Sequence, residues 1–198
     1  MSKQIQEAYI VAATRLPVAK RNGMYRNVRP DDMLAAVLKS VVAQVPGIDP
    51  ALIGDVIVGC AMPEAEQGMN VGRNIALMAG LPVTVPGMTI NRFCSSGLQA
   101  VALAADKIRL GESDLMIAGG TESMSMVPMM GNKIAMSPLV FENEHVAIAY
   151  GMGITAENVA AQWKVSREDQ DAFAYASHQK ALAAIQAGHF RAEISPYE

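Results

Sequence analysis

The feature that most constrains this chain is an alternation. Short runs of apolar, partly β-branched residues are separated by longer stretches whose apolar positions recur every three or four residues. Runs of the first kind are Ala8–Val11, Asp55–Gly59 (DVIVG), Met88–Asn91 and Leu115–Ala118 (LMIA). Strands of four or five residues that are apolar almost throughout need cover on both faces, and helices between them provide it. The fold class expected is therefore α/β, a mainly parallel sheet flanked by helices. Of the 198 residues 51% are hydrophobic and 18% charged, enough to fill a sizeable core, and this excludes a disordered tail or a charged coiled coil.

The helices carry their own punctuation. Pro30 opens one, Asp31 and Asp32 stand in its first turn where negative charge suits the helix dipole, and an apolar stripe from Met33 to Val45 ends at Pro46. Asn70 is placed to cap a short helix through Ala79, with Gly80 and Pro82 closing it. From Ser95 the pattern turns helical again, with Leu98, Val101, Ala102, Ala105 and Ile108 on one face and Gly111 at the end. Between the first strand and Pro30, Arg15, Lys20, Arg21, Arg26 and Arg29 with no acidic residue mark a surface loop. Beyond Thr121 the chain changes character: Met, Ser, Pro and Gly crowd residues 121–140, which reads as a long excursion. Two helices follow, with Thr155 and Ser166 as their caps and Gly188 ending the second, and Glu193–Glu198 reads as the approach to another strand. The domain division expected is 1–120 and 121–198.

Charge and cysteine content narrow the function. Sixteen basic and nineteen acidic residues leave a net charge of −3, so no nucleic-acid partner is expected. No apolar stretch is long enough to cross a membrane, and the first residues lack the features of a secretory or transit signal, so a cytoplasmic, membrane-free location is expected. Two cysteines, Cys60 and Cys94, are too few for a disulfide scaffold, and no His/Cys/Asp cluster has metal-ligand spacing; no metal is expected.

Cys94 is the most informative position. It lies in NRFCSSGLQA, at an expected strand-to-helix junction. A helix start presents unpaired N–H groups and partial positive charge, which favour a thiolate, and the Cys94 amide can donate to a developing oxyanion. Ser95, Ser96 and Gly97 are small enough to admit a substrate carbonyl. These are properties of an acyl-accepting nucleophile; a buried structural thiol is the alternative. A base is harder to find. His178 and His189 read as surface residues, and His145, in FENEHVAIAY, has no motif tying it to Cys94. Gly151 and Gly153 read as a helix entry turn, and the pairs Glu64/Glu66 and Glu142/Glu144 as solvated surface.

NRFCSSGLQA at 91–100, GGTESMSMVP at 119–128, MGITAENVA at 152–160 and SREDQDAFAYASHQKA at 166–181, with the opening AYIVAATRLPVAKRNG, resemble the thiolases. The resemblance runs through essentially the whole chain in order, and the CSSGLQ form is most similar to 3-ketoacyl-CoA thiolases and acetyl-CoA acyltransferases of fatty-acid breakdown. It implies that Cys94 takes an acyl group from a 3-ketoacyl-CoA, that acetyl-CoA leaves, and that free CoA collects the shortened chain. It implies no cofactor beyond coenzyme A as co-substrate, a loop domain from about Thr121, Met152 on the pantetheine and acyl path, and a homodimer or homotetramer at full length. Tyr150 and Gly151 stand where some relatives place a His, so contacts there are expected to differ. The resemblance also implies an N-terminal half only, because the family's activating His in GHP, its second Cys in CxG and its water-positioning Asn lie in a second half. VGCAMP around Cys60 is not that second Cys motif. Three readings follow: a thiolase half that is inactive alone, a non-catalytic thiolase-like module for dimerisation or CoA-ester binding, and, more remotely, a cysteine hydrolase independent of CoA.

Overall fold

The computed structural model describes residues 5–142 and 151–197. They form two compact units, one made of residues up to 133 together with 193–197, the other of residues 134–192.

The first unit is built on three parallel strands, β1 (Val56–Gly59), β2 (Gly87–Ile90) and β3 (Ile117–Gly120), in the order β2-β1-β3. β1 is central and buried at all four positions. Its side chains alternate between two cores. Val56, Val58 and then Cys60 face α1 (Pro30–Ala43) and α2 (Val71–Met78), where they meet Leu34, Leu38, Val71 and Ile75. Ile57 faces the other way, onto Ala100 and Ala104 of α3 (Ser96–Arg109), beside Met88, Met116 and Ala118. The result is three layers, with the sheet between α1/α2 and α3.

Local chemistry sets the helix ends. Asn70 caps α2 by accepting from the Arg73 amide. Gly80 and Gly111 follow α2 and α3 with φ of +83° and +72°, a conformation that glycine adopts without steric penalty. The layers also approach closely. A Cβ on Gly72 would lie 2.2 Å from the Met88 carbonyl oxygen, and one on Gly87 2.7 Å from the Arg73 Cα, so the α2–β2 contact exists only with glycine at both positions.

Two expectations are corrected in this unit. Ala8–Val11 forms no strand: Ile10 is 80% exposed, and a cavity of about 840 Å³ lies among this extended segment, α1, α3 and β3, so no ladder closes on the β3 edge. Further along, Arg15 makes a parallel bridge with Ile194, and the Ser195 hydroxyl lies 2.6 Å from both the Thr14 and Ser40 hydroxyls. These contacts hold residues 193–197 in the first unit. The second correction concerns α3. Ser96, Ala100 and Ala104 are buried, whereas Leu98 and Val101 of the expected apolar stripe are 74% and 40% exposed. The sheet accepts the narrow face of α3 because small side chains let the helix axis come close; the wider apolar face is turned outward.

The second unit contains α4 (Leu139–Glu142), α5 (Met152–Trp163) and α6 (Arg167–Gln186). Ser166 caps α6 as expected, accepting from the Asp169 amide at 3.1 Å, and Gly188 follows its end with φ +76°. Thr155 does not cap α5. The helix begins after Gly151, and the Thr155 amide already bonds to the Gly151 carbonyl, which places Thr155 inside the first turn. Among the described residues no helix is long and apolar enough to cross a membrane.

Candidate active site

The register aligns Gly59, Ile90 and Gly120 across the sheet, so the three strands end level. In a parallel α/β sheet that carboxyl edge is where ligands bind. The chain leaves it through Cys60–Ala61, Asn91–Cys94 and Thr121–Ser123.

Cys94 is exposed and sits in a single 3₁₀ turn, Phe93–Ser95, between β2 and α3. The turn is held from both sides. Phe93 has φ +48°, a left-handed conformation that a bulky residue adopts only under constraint. The Asn91 carboxamide oxygen accepts from the Phe93 amide at 2.8 Å, an Asx turn. On the inner side the buried Ser96 hydroxyl accepts from the Arg92 amide at 2.8 Å and donates to the Phe93 carbonyl at 2.6 Å. Below the turn, Gly59 makes room for α3: a Cβ there would stand 2.5 Å from the Ser96 carbonyl carbon and 2.6 Å from the Gly97 nitrogen. Strand, tight turn and helix start together thrust the Cys94 thiol outward.

The neighbouring loops form a polar network. The Asn91 Nδ2 donates to the Ala61 carbonyl at 2.9 Å, and the Ala61 amide donates to Glu122 Oε2 at 2.6 Å. Gln67, fully buried, donates from Nε2 to Glu122 Oε1 and, at 2.9 Å, to the Met62 carbonyl. Its Oε1 accepts from the Ser123 amide at 3.0 Å. Cys60 lies beneath this network, 1% exposed. Burial, and secondarily the Glu122 carboxylate, push its thiol up from the ordinary 9.0 to about 12. It is a core residue whose thiol burial keeps protonated.

Met152, the first residue of α5, is 75% exposed and belongs to the second unit, as do His178 and His189, both exposed. His145, Glu144 and Tyr150 lie outside the described residues. Gly151 is the entry residue of α5, as read from sequence. Glu64, by contrast, is not simply solvated: its Oε1 accepts from the backbone amide and side-chain amide of Asn132. Among the described residues no group of three or more His, Cys, Asp or Glu side chains is arranged to hold a metal ion.

Sequence reasoning singled out Cys94 and overlooked its supports. Asn91 and Ser96 carry a local signal, since Asn and Ser flanking a turn commonly bond to nearby backbone. Glu122 and Gln67 carry none, because they meet Ala61 and each other only through the tertiary fold.

The α/β domain thus presents an exposed cysteine from a constrained turn between a strand and a helix, at the carboxyl edge of its parallel sheet. Residues 8–198 match the family described as "Thiolase, N-terminal domain", and the chain belongs to the thiolase family. It is 51% identical, over 98% of its length and 49% of the relative's, to a 3-ketoacyl-CoA thiolase of Bacillus subtilis. It is 44% identical to a beta-ketoadipyl-CoA thiolase of Acinetobacter baylyi, over 97% of this chain and 52% of that one. The crystal structure of the Bacillus anthracis acetyl-CoA acetyltransferase superposes with a TM-score of 0.82 at 36% identity, covering 98% of this chain and 52% of the other. The chain thus spans about half the length of these relatives.

Proposed function

We propose that this chain supplies the nucleophile of an acyl-CoA C-acyltransferase that thiolyses a 3-ketoacyl-CoA. The observation that carries the reading is the exposed Cys94 thiol in its braced turn, in a chain whose other thiol is buried and held protonated. In this reading the Cys94 sulfur attacks the 3-keto carbon and the bond between C2 and C3 breaks. The electrons pass to the acetyl-CoA fragment, which takes up a proton and leaves. The thiol of free CoA then attacks the Cys94 thioester, releases the shortened acyl-CoA and restores the cysteine, a ping-pong cycle. Coenzyme A is the co-substrate; the cycle calls for no metal or further cofactor.

The excursion read from about 121 onward supplies in this reading a loop domain whose compact part is residues 134–192, with Met152 lining the acyl path. The base for Cys94 and the acid–base group for the leaving carbon come from a further half of the protein. Each such group is typically worth about 10²- to 10⁴-fold, so these 198 residues alone acylate slowly and do not turn over. The outward apolar face of α3, with Leu98 and Val101, supports burial against another domain, and the full-length protein is read as a cytoplasmic homodimer or homotetramer.

The test is incubation with acetoacetyl-CoA followed by peptide mass mapping. The expected outcome is a stoichiometric acetyl group on the Cys94 peptide, absent in Cys94→Ala. Acylation elsewhere, or acylation that survives Cys94→Ala, would overturn the assignment. CoA-ester binding without acylation would favour the non-catalytic module.

A further inference from the structure

We propose that Glu122 is a positioning residue for Cys94, acting through the main chain of Ala61 and the side chain of Asn91. The inference rests on the reading of Cys94 as the nucleophile. Three consecutive hydrogen bonds join the two residues' surroundings: Ala61 N to Glu122 Oε2 at 2.6 Å, Asn91 Nδ2 to Ala61 O at 2.9 Å, and Phe93 N to Asn91 Oδ1 at 2.8 Å. The last of these holds Phe93 at φ +48°, immediately before Cys94. Asn91 can brace Phe93 only while its carboxamide is oriented with oxygen toward that amide. The Ala61 carbonyl sets this orientation by taking the Nδ2 end, and Glu122 fixes Ala61.

The chemistry at 122 requires a carboxylate. Both groups that face it are donors, the Ala61 amide and the Gln67 Nε2. Gln67 cannot turn over to offer an acceptor instead, because the Ser123 amide donates to its Oε1 and the Met62 carbonyl accepts from its Nε2. An ionised carboxylate satisfies both donors with charge-assisted bonds, whereas a carboxamide would oppose one of them with an N–H. Glu122 also spans two strand ends: it follows β3 and holds the residue two beyond β1. A change at the 121–123 loop therefore reaches the nucleophile turn after β2 without touching it.

Cys60 provides an internal control once its link to Glu122 is allowed for. Removing the carboxylate takes away the smaller cause of its raised thiol, but burial, the larger one, remains, so Cys60 alkylation on the scale of Cys94 reports loss of the fold rather than loss of positioning. The experiment measures iodoacetamide alkylation of Cys94 and Cys60 in the 198-residue chain by peptide mapping, together with acetyl transfer from acetoacetyl-CoA. Glu122→Ala should slow Cys94 alkylation about three- to tenfold while Cys60 stays protected. Glu122→Gln, which keeps the side-chain length and one acceptor, should fall between. Asn91→Asp keeps the acceptor for Phe93 but loses the donor to Ala61; in that background Glu122→Ala should have no further effect. Unchanged Cys94 rates in Glu122→Ala, a Glu122→Gln rate equal to that of the unsubstituted chain, additive effects in the Asn91→Asp background, or Cys60 labelling that rises in step with the change at Cys94 would each overturn the proposal. Acetyl transfer separates the two readings. If the unsubstituted chain alkylates at Cys94 but takes no acetyl group there, the acyltransferase reading fails while positioning still stands or falls on the alkylation rates.

Discussion

β1 and β2 are parallel neighbours in register, and each sends a cysteine to the same edge of the sheet, one residue beyond β1 and four beyond β2. The two thiols meet opposite fates. After β1 the chain keeps its alternation for one more residue, so Cys60 follows Val56 and Val58 into the core under α1 and α2. After β2 the alternation is broken: Asn91 starts an Asx turn, Phe93 takes a left-handed conformation, and Cys94 emerges at the start of α3. A cysteine at a strand end is thus inert or presented according to whether the strand's period of two continues or a turn interrupts it.

The comparison can be broken most directly by competition between the two thiols. The rise of Cys60 from 9.0 to about 12 reduces its thiolate at pH 8 about a thousandfold, and burial hinders the reagent further. Allowing for the greater nucleophilicity of a more basic thiolate, iodoacetamide under native conditions should label Cys94 at least about thirty times faster, read by timed quenching and peptide mapping. Similar rates would mean that the end of β1 is open.

A second way is to disturb the packing that separates the two ends. Gly59→Ala places a Cβ against the first turn of α3, where backbone must move, and should destabilise the domain by about 2–3 kcal/mol in urea unfolding. Gly119→Ala is the control. Its Cβ would meet only the Leu34 Cδ1 at 3.6 Å, an ordinary contact, and the change should be well under about 1 kcal/mol. Equal effects would show that the approach of α3 to β1 does not depend on Gly59.

The smallest effect sharpens the account of Cys60. Its thiol stays protonated in the fold up to about 12 and ionises in the unfolded chain near 9.0. Its contribution to stability is therefore complete below about pH 9 and is lost as pH rises toward 12. Between pH 8 and pH 10 the protein should lose about 1 kcal/mol more stability than Cys60→Ala, measured by urea unfolding at each pH. Parallel pH profiles would place the Cys60 thiol in contact with water.

Much of this was legible residue by residue. Asn70, Gly80, Gly111 and Ser166 act where their chemistry places them, because caps and left-handed positions are decided within a few residues of chain. The three central strands appear within two residues of their expected bounds for a similar reason: an apolar run too short for a helix has few other solutions. Thr155 misled because a threonine near a helix start resembles a cap wherever it falls in the first turn, and Gly151 supplied the entry instead.

By itself the sequence determined the layered α/β class, most helix ends, and Cys94 as the residue at the strand-to-helix junction. Those follow from periodicity and local hydrogen bonding, which are properties of contiguous residues. Only the tertiary structure decided that Ala8–Val11 stays off the β3 edge, that α3 turns its small residues rather than Leu98 and Val101 to the sheet, and that Glu122 and Gln67 brace the loop beside Cys94. The reason is physical: each of these is a choice between partners distant in sequence. It is settled by which face packs closest and which buried donor finds an acceptor, and neither is written in the spacing of neighbouring residues.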